Sequence, residues 1–340
     1  MLHKSVRSVG INLSWRLPSL LMAVFLLFSF STYAKYKIAV VGKTKNDSFY
    51  EQSYKGCKHF AKSFVDVECE YDGPDDFQDV RAQVIILNEL LQSDIDGLLV
   101  STTDSSHLVE GALKRFEAKG IPVITFDSDL LPEHSAYRMA YVGTNNFDFG
   151  RALGNYAKTL KKLPSQKICI QSGHSTTPNL NERIAGVRFA LSGQSENKMT
   201  GQNGWIEHER CPLYSLGKRG MAVFQLEAML KQEPSPVFLA VAGFAQFSPN
   251  YLTRIEPYRT AVQSGQKIII SADTEAVQLM ALKLQLSTVN IGQKPFEMGR
   301  LGAELLYDFL AHGTKPLKSH YYLDFHYCRP KNAATCTVNY

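Results

Sequence analysis

The sequence predicts an α/β protein made of two Rossmann-like lobes, each built on a parallel sheet, and three observations predict it. Short apolar runs ending in glycine or a polar loop alternate with helix-period segments along the chain. The alternation restarts at Ala140 after a polar interval. The 340 residues also exceed what one hydrophobic core usually organises.

Tyr36 to Gly42 is the first apolar run, followed by a polar loop and a helical segment over Gln52 to Phe64. Val67 to Tyr71 reads as a strand, Val80 to Gln92 as a helix, Gly97 to Val100 as a buried strand, Ser106 to Lys119 as a helix and Ile121 to Phe126 as a strand. Unbroken apolar strands separated by helices imply parallel sheets covered on both faces. In the second series, strands are predicted at Ala140 to Gly143, Lys167 to Gln171, Trp205 to Cys211, Val237 to Val241 and Lys267 to Ser271. Its helices fall at Phe147 to Leu160, Asn181 to Ser192, Arg219 to Gln232, Pro249 to Ser264 and Thr274 to Gln285. A helix over Phe296 to Ala311 and a strand over Ser319 to Phe325 complete about ten strands.

Lys4, Arg7 and Arg16 precede the apolar stretch Leu20 to Phe30 and the small residues Thr32 and Ala34, the pattern of a secretory signal peptide over residues 1–34. A spanning helix needs about 20 apolar residues, more than this stretch supplies. Without those three cations, 34 of the 37 Lys+Arg remain against 32 Asp+Glu, a net charge of +2. So balanced a chain, with no clustered basic face, is not expected to bind nucleic acid. All six cysteines lie in the exported part, where an even count reads as disulfides. Counting alone allows 15 pairings; the expected ones join neighbours, Cys57 with Cys69, Cys169 with Cys211 and Cys328 with Cys336, with free buried thiols as the alternative.

Ligands of open parallel sheets bind beyond the carboxyl ends of the strands, so the loops there carry the functional reading. They hold Thr44 to Tyr50, Ser101 to Asp104, Asp127-Ser128-Asp129, Thr144-Asn145-Asn146, Gly173 to Arg183, Asp273 and Gln293. Carboxylates, amides and arginine match hydroxyls that both donate and accept, while an aromatic ring suits the C–H face of a pyranose. Each residue also has a plainer use, as a cap or turn former.

Three stretches resemble the periplasmic binding protein type I family, in particular its ribose/galactose-type sugar-binding proteins: Asn46 to Tyr50, Ile121 to Asp129 and Ile291 to Gly299. The resemblance covers Lys35 to about Phe325. It implies Asp47 as a polar contact, Phe49 and Tyr50 as stacking rings, Ser101 as a polar contact and Asp127 as an acceptor for two sugar hydroxyls. It further implies Arg183 as a donor from the second lobe, Asp273 as a second carboxylate and Gln293 as a hinge-side amide, with Tyr214 as a candidate ring on the second lobe. Three positions depart from the pattern: Ser128 stands where a long donor is usual, Ala242 to Ala245 where an Asn-Asp pair is usual, and Ala272 where an aromatic is usual. These leave the sugar unnamed.

The resemblance also implies three chain crossings, near Thr144, Gln293 and Phe325. Residues 35–144 with 294–325 would form the N-terminal lobe, and 145–293 with 326–340 the C-terminal lobe. The implied molecule is a periplasmic monomer that hands its ligand to an ABC permease, or alternatively reports it to a sensor kinase or chemoreceptor. No cofactor and no metal are expected. The acidic set Asp72, Asp75, Asp76 and Asp79 lacks EF-hand spacing, His174-Ser175 has no nucleophile elbow, and His208-Glu209 lacks the second histidine of a zinc motif. An exported hydrolase or isomerase is the third reading, and no catalytic constellation supports it.

Overall fold

The computed structural model divides the chain into two units, Met1–Ala34 and Lys35–Tyr340. It describes residues 35–75 and 79–336, with Met1, Leu2, Ser5 and Gly10 of the first unit. The apolar stretch and cleavage motif of the expected leader lie outside the described residues, as does Asp76. Every strand and helix among the described residues belongs to the second unit.

Strand positions follow from burial on both faces. β1 (Tyr36–Val41), β2 (Val67–Asp72), β3 (Gly97–Val100), β4 (Val123–Phe126), β5 (Ala140–Gly143) and β12 (His320–Tyr322) form one parallel sheet in the order β12-β5-β4-β3-β1-β2. β3, β4 and β5 are buried at every position. Full burial of one such Val, Leu or Ile side chain stabilises the fold by about 1.5–3 kcal/mol. The second sheet runs β13-β11-β10-β9-β6-β7, from β6 (Gln166–Ser172), β7 (Trp205–Glu207), β9 (Val237–Ala240), β10 (Ile269–Ala272), β11 (Val289–Gly292) and β13 (His326–Cys328), with β8 (Leu213–Tyr214) also on β6. Only β13, antiparallel to β11, breaks its parallel run.

The described residues hold thirteen strands, three more than the sequence suggests. β11 is hidden in the sequence because Asn290 interrupts its apolar run; in the fold that amide donates to Asp273 O at 2.9 Å. The predicted strand Trp205 to Cys211 is two pieces. β7 stops at Glu207, a turn closes with Cys211 N donating to His208 O at 2.9 Å, and β8 resumes pairing on β6.

The helices are α1 (Ser48–Ala61), α2 (Val80–Leu90), α3 (Ser105–Leu108), α4 (Lys114–Ala118), α5 (Asn146–Thr159), α6 (Pro178–Ser192), α7 (Arg219–Leu230), α8 (Tyr251–Ile255), α9 (Arg259–Gln263), α10 (Ala276–Lys283) and α11 (Pro295–His312). A π-helical turn over Val109–Leu113 joins α3 to α4. The single helix expected over Pro249 to Ser264 is broken into α8 and α9 by a 3-10 turn at Glu256–Tyr258, where Pro257 has no N–H to continue the ladder. α1 starts earlier than the periodicity suggests because Asp47 is its N-cap, accepting from Phe49 N at 3.0 Å. Phe49 and Tyr50 thereby enter its first turn.

Cys57–Cys69, Cys169–Cys211 and Cys328–Cys336 are all bonded, with Cα–Cα distances of 6.1, 5.4 and 5.8 Å. The first ties α1 to β2; the second ties β6 to the turn before β8. Among the described residues, His326, Cys328 and Cys336 form a grouping of metal-ligand types, but both thiols are spent in the disulfide.

Candidate functional site

The two sheets share one strand order, so β1, β3 and β4 correspond to β6, β9 and β10. Their carboxyl ends meet at a cavity of about 50 Å³ lined by Lys43, Thr44, Asp47, Phe49, Tyr50 and Asp127 on one side. Asn179, Leu180, Arg183, Ala242 to Phe244, Phe247, Asp273 and Gln293 line the other.

Asp127 sits at its centre, one residue past β4, with φ 58°. Its backbone is held by β5: Asp127 N donates to Val142 O at 3.3 Å, and Tyr141 Oη donates to Asp127 O at 3.0 Å. Its carboxylate receives five donors. Oδ2 accepts from Tyr50 Oη (3.1 Å), Ser101 Oγ (2.9 Å) and Lys43 Nζ (3.2 Å), and Oδ1 from Asn179 Nδ2 (3.1 Å) and Arg183 Nη2 (3.5 Å). Burial by itself would raise the Asp127 carboxyl, but Lys43, Arg183 and the Ser101 hydroxyl outweigh it and hold the group below the usual carboxylate range.

Arg183 is fully enclosed because α5 and α6 cross at glycines. A Cβ on Gly150 would lie 2.1 Å from Arg183 O, and one on Gly186 would lie 2.1 Å from Phe147 O. The guanidinium rests over Phe149 with 4.8 Å to the ring centroid. It donates to Asn146 Oδ1 (2.8 Å), Val241 O (3.0 Å) and Gln293 Oε1 (2.9 Å) as well as to Asp127. One side chain thus joins both lobes.

Asp273 follows β10 with φ 72° and is buried opposite Asp127. Its Oδ1 accepts from Gln293 Nε2 at 2.8 Å and its Oδ2 from Gly243 N at 3.2 Å, both neutral donors. Burial raises this carboxyl above its ordinary value, against Arg183 and the Gln293 bond. Asp47 is pushed up to about 7, again by burial, with Phe49 N–H and Arg219 opposing. Arg219 reaches across from α7, 3.6 Å from Asp47 Oδ2, and donates to Asn46 O at 2.9 Å.

Of the residues singled out from the sequence, Asp47, Phe49, Tyr50, Asp127, Arg183, Asp273 and Gln293 line this cavity. Ser101 lies behind it, fully buried, holding Asp127. Ser128 and Tyr214 are not on the wall. Ser128 is fully buried next to Asp127, with no partner for Oγ among the described residues, whereas Tyr214, at the end of β8, is 37% exposed. The aromatic rings from the second lobe are instead Phe244 and Phe247, in the loop after β9. Sequence reasoning also missed Lys43 and Asn179, whose side chains bond to each other across the cleft at 2.9 Å. Each had a signal: Lys43 directly follows the glycine that ends the first apolar run, and Asn179 lies within the loop Gly173 to Arg183.

A family model described as periplasmic binding protein domain matches residues 38–315. The D-ribose/D-allose-binding protein of Pseudomonas aeruginosa is 29% identical over 247 residues, which are 71% of this chain and 72% of that protein. Among solved structures, an ABC transporter solute-binding protein of Agrobacterium vitis bound with α-D-tagatopyranose has a TM-score of 0.75 at 20% identity, covering 88% of this chain and 97% of that one. Another, from Actinobacillus succinogenes with bound D-allose, has a TM-score of 0.71 at 18% identity, covering 89% of this chain and 100% of that one. At these identities the two structures speak for the fold.

Proposed function

Because this chain belongs to the periplasmic binding protein family, we propose that it captures a sugar or similar small polar ligand between its lobes and presents it to an ABC importer. The observation that carries the reading is the convergence of three carboxylates, two amides, an arginine and four aromatic rings at one cleft between strand ends. Such a set satisfies hydroxyls by donating and accepting, and offers ring faces to C–H groups. The names of the relatives, sugar-binding and ABC transporter solute-binding proteins, support it.

In this reading Asp47, Arg183, Asp273 and Gln293 supply the polar contacts, Asp127 holds Lys43 and Arg183 in place beneath them, and Phe49, Tyr50, Phe244 and Phe247 supply the rings. Residues 35–144 with 294–325 move as one lobe, and 145–293 with 326–340 as the other. A ligand touching both sides favours the closed form by its extra affinity for it. The protein works in the periplasm as a monomer, and binding involves no turnover.

Thermal unfolding and calorimetry with pentoses, hexoses and their acid derivatives test the proposal. Ligand at about 100 times its dissociation constant stabilises the native state by roughly 2.7 kcal/mol. A panel that produces neither heat nor a shift in melting temperature overturns it.

A further inference from the structure

We infer that Lys43 turns this cleft toward a sugar acid, its ammonium meeting the ligand's carboxylate while Asp273 and Asp47 receive hydroxyls. The inference rests on the sugar-binding reading and sharpens it.

Asp127, expected from the resemblance to accept two sugar hydroxyls, has no acceptor capacity left. A carboxylate offers about four lone-pair sites, and Tyr50, Ser101, Lys43, Asn179 and Arg183 already donate to it. Two enclosed cations therefore both lean on the Asp127 carboxylate at this end of the cleft. The Lys43 and Arg183 side chains are 4% and 2% exposed, and that of Asp127 5%. Lys43 carries three N–H donors; two are directed at Asn179 Oδ1 and Asp127 Oδ2, and for the third no acceptor is seen among the described residues.

The other end has the opposite character. Among the described residues Asp273 is met by the amide of Gln293 and the backbone N–H of Gly243, so it retains lone pairs for hydroxyl donors. The cleft is thus donor-rich and positive at Lys43 and acceptor-rich at Asp273. A neutral sugar matches the second end and offers the ammonium at the first only a hydroxyl oxygen. A polyhydroxylated carboxylate matches both ends, because charge-assisted hydrogen bonds are the strong ones. The loss of the long donor at Ser128 fits the same picture, since Lys43 brings the cation to Asp127 from the first strand instead.

The test is calorimetric titration of the full protein with D-galacturonate, D-glucuronate, D-gluconate and D-galactonate beside D-galactose, D-glucose, D-allose and D-ribose. At least one acid is expected to bind on the order of 100-fold more tightly than its neutral counterpart, and Lys43→Met to shrink that ratio to about threefold or less. Neutral sugars binding as well as or better than every acid would overturn the inference and leave the sugar-binding reading standing. No binding by either group would overturn both. An acid preference that survives in Lys43→Met would remove Lys43 from the explanation. The wild-type ratio is read without any variant, and Lys43→Gln replaces Lys43→Met should the methionine protein not fold.

Discussion

Asp127 and Asp273 occupy matching places in the two lobes and sit among different partners. Each follows the corresponding strand of its sheet, each adopts a left-handed backbone (φ 58° and 72°), and each donates its N–H to the next strand, at Val142 O and Ile291 O. In both, a side chain from that neighbouring strand donates to the aspartate's own carbonyl, Tyr141 in one and Asn290 in the other. There the likeness ends. Lys43 and Arg183 hold Asp127 ionised, whereas Asp273 is met by neutral donors and burial raises its pKa. The sheet determines where a carboxylate stands; the neighbouring loops determine what meets it.

Replacing Asp127 is the largest break in this comparison. Asp127→Ala leaves Lys43 and Arg183 enclosed without their anion, and removing one partner of a buried pair costs about 3–5 kcal/mol. Most of that cost is expected in the closed form. Calorimetry should therefore show ligand heat abolished, and scattering in solution should show a more open average shape. An undiminished affinity would contradict the charge assignment.

The lobes also differ in how they are stapled. Cys169–Cys211 closes a sequence separation of 42 residues and Cys57–Cys69 one of 12, so loop-closure entropy gives about 4 and about 3 kcal/mol respectively. Denaturant unfolding of the two double-alanine proteins should show the larger loss in the second lobe. The reverse order would place the stabilisation in packing rather than in the unfolded chain.

Asp273→Asn sharpens the contrast, because it keeps the shape and removes one acceptor from neutral partners. A loss of about 1–3 kcal/mol in binding is expected, from one buried hydrogen-bonding group left unmatched. Should it exceed the loss for Asp127→Asn, the two carboxylates would have to exchange roles.

A further contrast concerns pH. Asp47, raised to about 7 in the fold, holds a proton there that the unfolded chain releases near its ordinary value. The folded state binds more protons between about pH 4 and 7, so stability falls as pH rises through that window, by at most about 1.4 kcal/mol per unit for this group. Melting temperatures of wild type and Asp47→Asn at pH 5, 6, 7 and 8 should converge at the acid end and diverge as pH rises, the wild type losing more. Parallel curves would count against a protonated Asp47.

Local chemistry determined much of this protein from the sequence alone. The strands at Gly97–Val100 and Ala140–Gly143 could be read to the residue, because an apolar run buried on both faces and ended by turn residues has few other uses. The disulfide pairs followed from nearness along the chain, and the strand-end loops carrying Asp47, Asp127, Arg183 and Asp273 followed from the alternation of elements. Only the tertiary structure decided which neighbours those groups have. Lys43 reads as an ordinary charged loop residue until Asn179, 136 positions away, comes within 2.9 Å of it. Tyr214 reads as the ring of the second lobe until β8 turns it to solvent and the loop after β9 brings Phe244 and Phe247 to the cleft instead. Periodicity records which face of an element is buried, but the charge state of a carboxylate depends on distances of a few ångströms across two lobes, and no stretch of sequence contains them.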